Sequence, residues 1–437
     1  MRRDLTGILI PFVYFIAGAT SLAGIATTFY FKDDLGLSIV QSQILGSIAI
    51  IPWSIKPIYG FLSDVRPVWG MRRRPYLFLA GILGSTGYLS LATWVNGFYG
   101  AFIATIISGM GFALADVIVD GIVAERSKTQ KEAGKLQSIC RGAIIFGALV
   151  VSYLSGILVE WIGARNVFLI TGALPLLTVL FSLFVAEAQS IAPPRLREIW
   201  KSFRGALTPA LLWSALFLFV WRSTPSSGGA FSYFLIDELQ FTPEFFGRIS
   251  VASHVAGIVG IVIFRKFLLS LPLRTLFFWV MVLSVVLSLP AMGLVYGWYE
   301  LIGVSPQFFA IADTLVSGPL SEIGFLPLLV LTARICPKGI EATMFAVLAS
   351  LMNIGLAVSD MGGALLVNIF DVHTSGEGIV ANYANLDKVM WIAILSSFLP
   401  LPLLRFLPET RVTEEVFPGP SMEVPGIPVD PTKQEIA

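Results

Sequence analysis

Twelve stretches of about twenty largely apolar residues recur along the chain, separated by short polar segments. They lie at roughly 8–31, 39–62, 76–95, 98–124, 141–160 and 166–187. Six more follow at roughly 209–235, 245–269, 273–297, 306–333, 343–370 and 388–407. A segment in hydrocarbon must satisfy its own backbone hydrogen bonds, so each predicts a membrane-spanning helix. The first stretch, behind Arg2 and Arg3, is longer than the 7–15 apolar residues of a signal peptide and is therefore read as a span. From about 411 onward the apolar period ends. Prolines at 418, 420, 425, 428 and 431 predict a disordered cytoplasmic tail over 411–437.

Composition changes the picture only by excluding rivals. Of 437 residues 56% are apolar and 13% charged, and the mean hydropathy is +0.81. A soluble domain carries about 25% charged residues, so this chain cannot cover a water-soluble surface. The net charge of +1 offers no basic field for nucleic acid. Two cysteines and two histidines predict neither a disulfide framework nor a protein-built metal site, and no cofactor is expected.

Charge placement then gives orientation. With both termini cytoplasmic, 23 of the 29 basic residues fall in inside segments. Four, Lys32, Arg165, Arg248 and Lys388, fall outside, and Lys56 and Arg222 lie within spans. That asymmetry follows the positive-inside rule. The expected location is the plasma (inner) membrane.

The chain also repeats itself. Residues 29–38 (FYFKDDLGLS) reappear 204 positions later as 233–242 (YFLIDELQFT): an aromatic helix end, paired acids and a hydroxyl residue entering the next span. Arg126 and Arg334, and Gly147 and Gly355, match at an offset of 208. The expected organisation is an N-terminal six-helix half over 1–187, a cytoplasmic linker over 188–208 and a C-terminal six-helix half over 209–410. The fold class is thus an all-α polytopic membrane protein with twelve helices in two halves, of the major-facilitator type.

Charges inside apolar spans carry the candidate chemistry, because burying one costs on the order of 3 kcal/mol. Asp116 and Asp120 stand one helical turn apart on span four, within about 6 Å on one face. Neighbouring carboxylates disfavour joint ionisation, which suits proton coupling. The bland alternative pairs them structurally with Lys56 or Arg141. Lys56 sits between Pro52 and Pro57 on span two. Arg222, before Pro225 and Gly228, is mid-span on seven, and Glu322 lies between Pro319 and Pro327 on ten. Interrupted helices in both halves point to a transporter site. Lys56 and Arg222 are expected to converge on anionic groups of a substrate; the bland reading of Arg222 is an ion pair with Glu322 or Asp360. Asn353 and Asp360, seven apart on span eleven, line the cavity or bind helices together. The candidate substrate set is Lys56, Arg222, Glu322, Asn353 and Asp360. Asp313 is expected to be solvated and His254 to be a satisfied structural residue. Tyr14, Trp53, Trp213, Trp221 and Phe231 include interface anchors or ring-stacking partners.

Between spans two and three, Gly60, Asp64 and the run Arg72, Arg73 and Arg74 suggest an ion-pair latch on the cytoplasmic face, with Glu125, Arg126 and Arg141 as further gating candidates. Plain topology is the competing reading of the arginines.

These residues resemble the folate–biopterin transporter family of the major facilitator superfamily. The resemblance rests on residues 31–38 (FKDDLGLS), 53–57 (WSIKP) with the following GFLSD at 60–64, 70–76 and 116–126. It is specific in the N-terminal half and looser in the C-terminal half. The Asp64-to-arginine spacing is longer than in the commonest form of the superfamily's loop motif. The resemblance implies a monomeric symporter that moves folates, pterins and folate analogues across the bilayer with protons, by alternating access. Another organic anion is the nearest alternative cargo. A magnesium-dependent prenyltransferase on Asp116 and Asp120 would need a second acid cluster, and Asp33–Asp34 lies at the opposite face. No enzyme activity is expected.

Overall fold

The computed structural model describes residues 6–126, 130–185, 187, 207–268, 271–336, 341–375 and 380–408. Most of the expected linker, at 188–206, and the expected tail at 411–437 lie outside the described residues. Among the described residues, eleven helices are long and apolar enough to cross a membrane. They are α1 (Leu9–Asp34), α2 (Ile39–Ser63), α3 (Arg74–Thr93), α4 (Phe98–Val123), α5 (Gly142–Ile162) and α6 (Ala164–Ser182), then α8 (Pro243–Leu268), α9 (Leu273–Val295), α10 (Pro306–Thr332), α11 (Met344–Ile369) and α12 (Leu386–Phe406). The twelfth, α7, is broken into Pro209–Arg222 and Gly228–Asp237.

Local sequence sets the helix starts. Ser38 and Gln41 form a capping box on α2. Three later spans begin with a hydroxyl residue followed by proline. Thr208, Thr242 and Ser305 each accept from the backbone N–H three residues on, and Pro209, Pro243 and Pro306 occupy the first helical position.

Breaks fall where the prolines predict in α2 and α7. Helix α2 is interrupted at Ile55, and its second segment starts at Lys56 with Pro57 in its first turn. Helix α7 opens after Arg222 through Pro225. Span ten differs from expectation. Its helix runs unbroken over Pro306–Ile335 with Pro319 and Pro327 inside, and Gly260 of α8 packs on the Pro319 carbonyl. Neighbouring helices can support such prolines in a membrane bundle.

Within the N-terminal half, small residues bring helices close. A Cβ on Gly147 would meet the Phe15 carbonyl at 2.3 Å, and one on Gly111 would meet the Gly84 nitrogen at 2.2 Å. The halves touch through α2 against α11 and α5 against α8, where Ser47 donates to the Ala357 carbonyl at 2.9 Å and Gly156 abuts Pro243. His254 of α8 is satisfied across this seam, with Nδ1 2.7 Å from the Ser250 carbonyl and 3.2 Å from Ser152 Oγ of α5.

Candidate functional site

The break in α2 delivers Lys56 to α4. Its Nζ lies 2.6 Å from Asp116 Oδ2, and both side chains keep about a fifth of their surface exposed (22% and 21%). The ammonium also sits 4.6 Å from the centre of the Trp53 ring. One turn along α4, Asp120 accepts a 2.5 Å hydrogen bond from the Tyr14 hydroxyl. The two carboxylates therefore have separate partners on separate helices. Tyr14, only 5% exposed, is no interface anchor: it is packed inside the bundle, and its hydroxyl donates to Asp120.

Trp53 links this group to the other half. Its carbonyl accepts from Asn353 Nδ2 of α11 at 3.1 Å. Two turns on, Asp360 approaches Gly46 of α2. The shared face expected for Asn353 and Asp360 is thus the face that meets the N-terminal half.

Arg222 ends the first segment of α7. Its Cβ is seated on Gly355 of α11, and its guanidinium lies 5.7 Å from the Phe325 ring centre. Its Nε is buried without a hydrogen-bond partner. No carboxylate among the described residues comes within 4.0 Å, so the ion pair with Glu322 or Asp360, the alternative reading, is not formed. Instead the residue lines a cavity of about 330 Å3 between α7, α9 and α10. Glu322 does not line it; this side chain turns toward Gly257 of α8. Asp313 departs from its expected solvation. It lies two turns inside α10, and its Oδ1 is buried without a partner.

At the Arg73 end of the N-terminal half, Glu187 gathers the arginine run. Its carboxylate accepts from the backbone N–H groups of Arg72, Arg73 (2.9 Å) and Arg74 (3.0 Å), at the start of α3. The Arg73 guanidinium is buried, donates to Ser63 Oγ at 2.8 Å and presses on Gly121. Gly60 stands beside Val117 of α4. The side chains of Asp64, Glu125, Arg126 and Arg141 lie outside the described residues. Sequence reasoning missed Glu187; its only signal was an acid at the end of span six.

The opposite end carries a second arrangement that sequence reasoning missed. Lys32 of α1 pairs with Asp237 of α7 at 2.7 Å, with both side chains about a tenth exposed. Asp237 also accepts from Thr374 (2.5 Å) and Tyr383 (2.6 Å) of the α11–α12 connection. Nearby, Tyr233 and Ser42 hydroxyls lie 2.7 Å apart, and Gln43 donates to the Ser226 carbonyl at 3.3 Å.

Twelve helices in two halves, with partly buried charges at helix breaks and ties across the seam, make the fold of major-facilitator transporters. Solved structures of that architecture match. A D-xylose–proton symporter covers 94% of this chain and 100% of its own at TM-score 0.69 and 16% identity. A nucleoside transporter covers 93% and 99% at TM-score 0.66 and 14% identity. The chain belongs to the BT1 family, whose model matches residues 17–417. Among curated relatives, the folate-biopterin transporter of Synechocystis sp. is 37% identical over 405 residues, covering 91% of this chain and 80% of its own. Folate transporter 2 of Plasmodium falciparum is 28% identical over 358 residues, covering 80% and 78%.

Proposed function

We propose that the chain is a secondary transporter of folates and pterins, coupled to protons and working by alternating access between its two halves. The observation that carries this reading is the Lys56–Asp116 pair, partly exposed, inside a bundle whose curated relatives are named for folate and biopterin. Lys56 has one positive charge and two suitors. While Asp116 is ionised it holds the ammonium; once a proton neutralises that carboxylate, Lys56 is released to bind a substrate carboxylate instead. Proton binding and anion binding are thereby favoured together, which is the requirement for symport. Asp120, tied to Tyr14, sits one turn away to relay the proton.

Asn353 and Asp360 stand on the α11 face that meets α2, and serve to transmit a change at Lys56 to the C-terminal half. The Arg73 end acts as the cytoplasmic face, with both termini there, in the plasma membrane; the 23-to-4 distribution of basic residues supports that orientation. Uptake of labelled folate and biopterin tests the whole reading, in cells lacking their own uptake and with an imposed pH gradient. Accumulation above equilibrium that collapses with the gradient is expected. Accumulation of neither compound overturns it.

A further inference from the structure

The cavity beside Arg222 exists because the two halves differ at one helix pair. In the N-terminal half, α3 and α4 are in backbone contact: Gly84 meets Gly111, and Gly87 meets Ser108. In the C-terminal half the matching pair is α9 and α10. Buried Leu77 and Ala80 of α3 correspond to buried Phe277 and Val280 of α9, an offset of 200. The same register puts Ser284 and Leu287 where α3 has Gly84 and Gly87. Within each half, the approach of Gly109 of α4 to Pro52 of α2 is repeated by that of Gly318 of α10 to Ala256 of α8, which places Leu320 where α4 has Gly111. Side chains replace glycines on both helices, so the pair stands apart and leaves the cavity.

Its walls are chemically specific. Ser284 and Ser288 on α9 face Ser317 and Ser321 on α10. Each hydroxyl donates to a carbonyl of its own helix, at 2.6–2.8 Å, to Val280, Ser284, Asp313 and Gly318 respectively. With their protons committed, the serine oxygens offer lone pairs to the cavity. Arg222 offers the opposite, N–H donors and a positive charge. Trp221 and Phe325 supply aromatic faces.

A carboxylate fits this lining poorly, since it would bring more acceptors against the serines. We propose that the cavity is the site for the amino-pyrimidinone edge of a pterin ring. That edge carries a carbonyl oxygen for Arg222, then a ring N–H and an amino group for the serine oxygens, and its flat face suits Trp221 and Phe325. The inference rests on the folate–pterin reading above and refines it. Arg222 holds the ring that folate and biopterin share, and Lys56 holds the carboxylates that only folate has.

The test is ligand binding to the purified full chain in lipid nanodiscs, with biopterin and folate as probes. Ser288→Leu fills the cavity and Arg222→Gln removes its donor. Both are expected to weaken the two ligands alike, by about tenfold or more. As a measure independent of folding defects in those variants, saturating biopterin should protect Ser288→Cys from a thiol reagent, slowing its modification about tenfold or more. Unchanged biopterin binding by well-folded Ser288→Leu, or no protection of Ser288→Cys, overturns the cavity assignment while leaving the transport reading intact. If the wild-type chain binds neither compound, the folate–pterin reading fails and the cavity assignment falls with it.

Discussion

Lys32 and Asp237 lie 204 residues from their own counterparts in a duplicated motif, yet they pair with each other at 2.7 Å across the two halves. The motif that ends α1 meets the motif that ends α7. Thr374 and Tyr383 add donors to the same carboxylate, so the tie reaches the α11–α12 connection as well. The Tyr383 hydroxyl is pushed well above the usual phenol range by burial and by the adjacent Asp237 charge, and it stays a donor throughout physiological pH. Under alternating access, such a tie is expected to favour the form closed at this end. A hydrogen bond between charged groups contributes about 1.5–3 kcal/mol, or roughly 10- to 150-fold in a population. Lys32→Ala or Asp237→Asn is therefore expected to shift the protein toward a form open at this end. Spin-label distances between the ends of α1 and α7 will lengthen, and the charge-swapped double variant Lys32→Asp/Asp237→Lys will restore them in part. Unchanged distances in the single variants would show that the pair closes nothing.

The Lys56–Asp116 pair makes a separate forecast. Asp116→Asn removes the group whose protonation frees Lys56, so uptake should lose its dependence on the pH gradient while exchange of folate across the membrane persists. Asp120→Asn is expected to slow the gradient-driven component as well, and Tyr14→Phe to do so more mildly, since it removes one hydrogen bond to that acid. Full gradient-driven accumulation by Asp116→Asn at normal expression would remove the pair from the coupling step.

Arg222 and Lys56 should separate the two substrates. Arg222→Gln is expected to weaken folate and biopterin equally, whereas Lys56→Gln should weaken folate by about tenfold or more and leave biopterin nearly unchanged. Competition uptake with the two unlabelled compounds measures both. Selective loss of folate in Arg222→Gln would return the carboxylate to Arg222, as the sequence alone suggests.

Much of the architecture was legible because it is local or repeated. The duplicated motif proves to be duplicated in backbone as well. Gly36 and Gln240, 204 apart, both have positive φ (60° and 52°). Leu37 donates to the Phe31 carbonyl and Phe241 to that of Leu235, again 204 apart, before Ser38 and Thr242 cap the next helices. The Gly147–Gly355 echo is equally physical: Gly147 rests on the carbonyl of Phe15, Gly355 on that of Phe219. Proline breaks at Lys56 and Arg222 could be read because proline's geometry is intrinsic. Partners could not. Nothing in periodicity tells that Lys32 finds Asp237, that Tyr14 reaches Asp120, or that Glu187 returns to Arg73, since those distances depend on how whole helices pack. The Arg222 cavity was hidden for the same reason. It arises from glycines that one half has and the other lacks.

Glu187 offers a test of stability rather than transport. Three backbone N–H groups at the start of α3 converge on its carboxylate, doing for that helix what a capping side chain does elsewhere. A negative charge there also favours the helix dipole. Glu187→Ala should lower the melting temperature of the purified protein, corresponding to about 1–2 kcal/mol. Glu187→Gln, which keeps one acceptor oxygen and loses the charge, should fall between the two. A melting temperature equal to wild type in Glu187→Ala would show that solvent serves those three groups equally well.

The difference between the halves predicts opposite tolerance at matched positions. In α4, a side chain at Gly111 would enter the backbone of α3, with Cβ only 2.2 Å from the Gly84 nitrogen. Two helices packed by glycine on glycine cannot yield by rotating a side chain; one must move bodily away. Gly111→Leu is therefore expected to abolish most of the folded yield. Leu320, its counterpart in α10, already lines open space. Leu320→Ala enlarges that cavity rather than causing a clash, and the cost is bounded by the contacts the side chain now makes, about 2–3 kcal/mol. Folded protein should survive Leu320→Ala at reduced thermal stability, and ring binding should weaken because the wall behind the ring recedes. Size-exclusion profiles and thermal melts of the two variants check the asymmetry directly. Good yield from Gly111→Leu would mean that the close contact between α3 and α4 is not what distinguishes the halves.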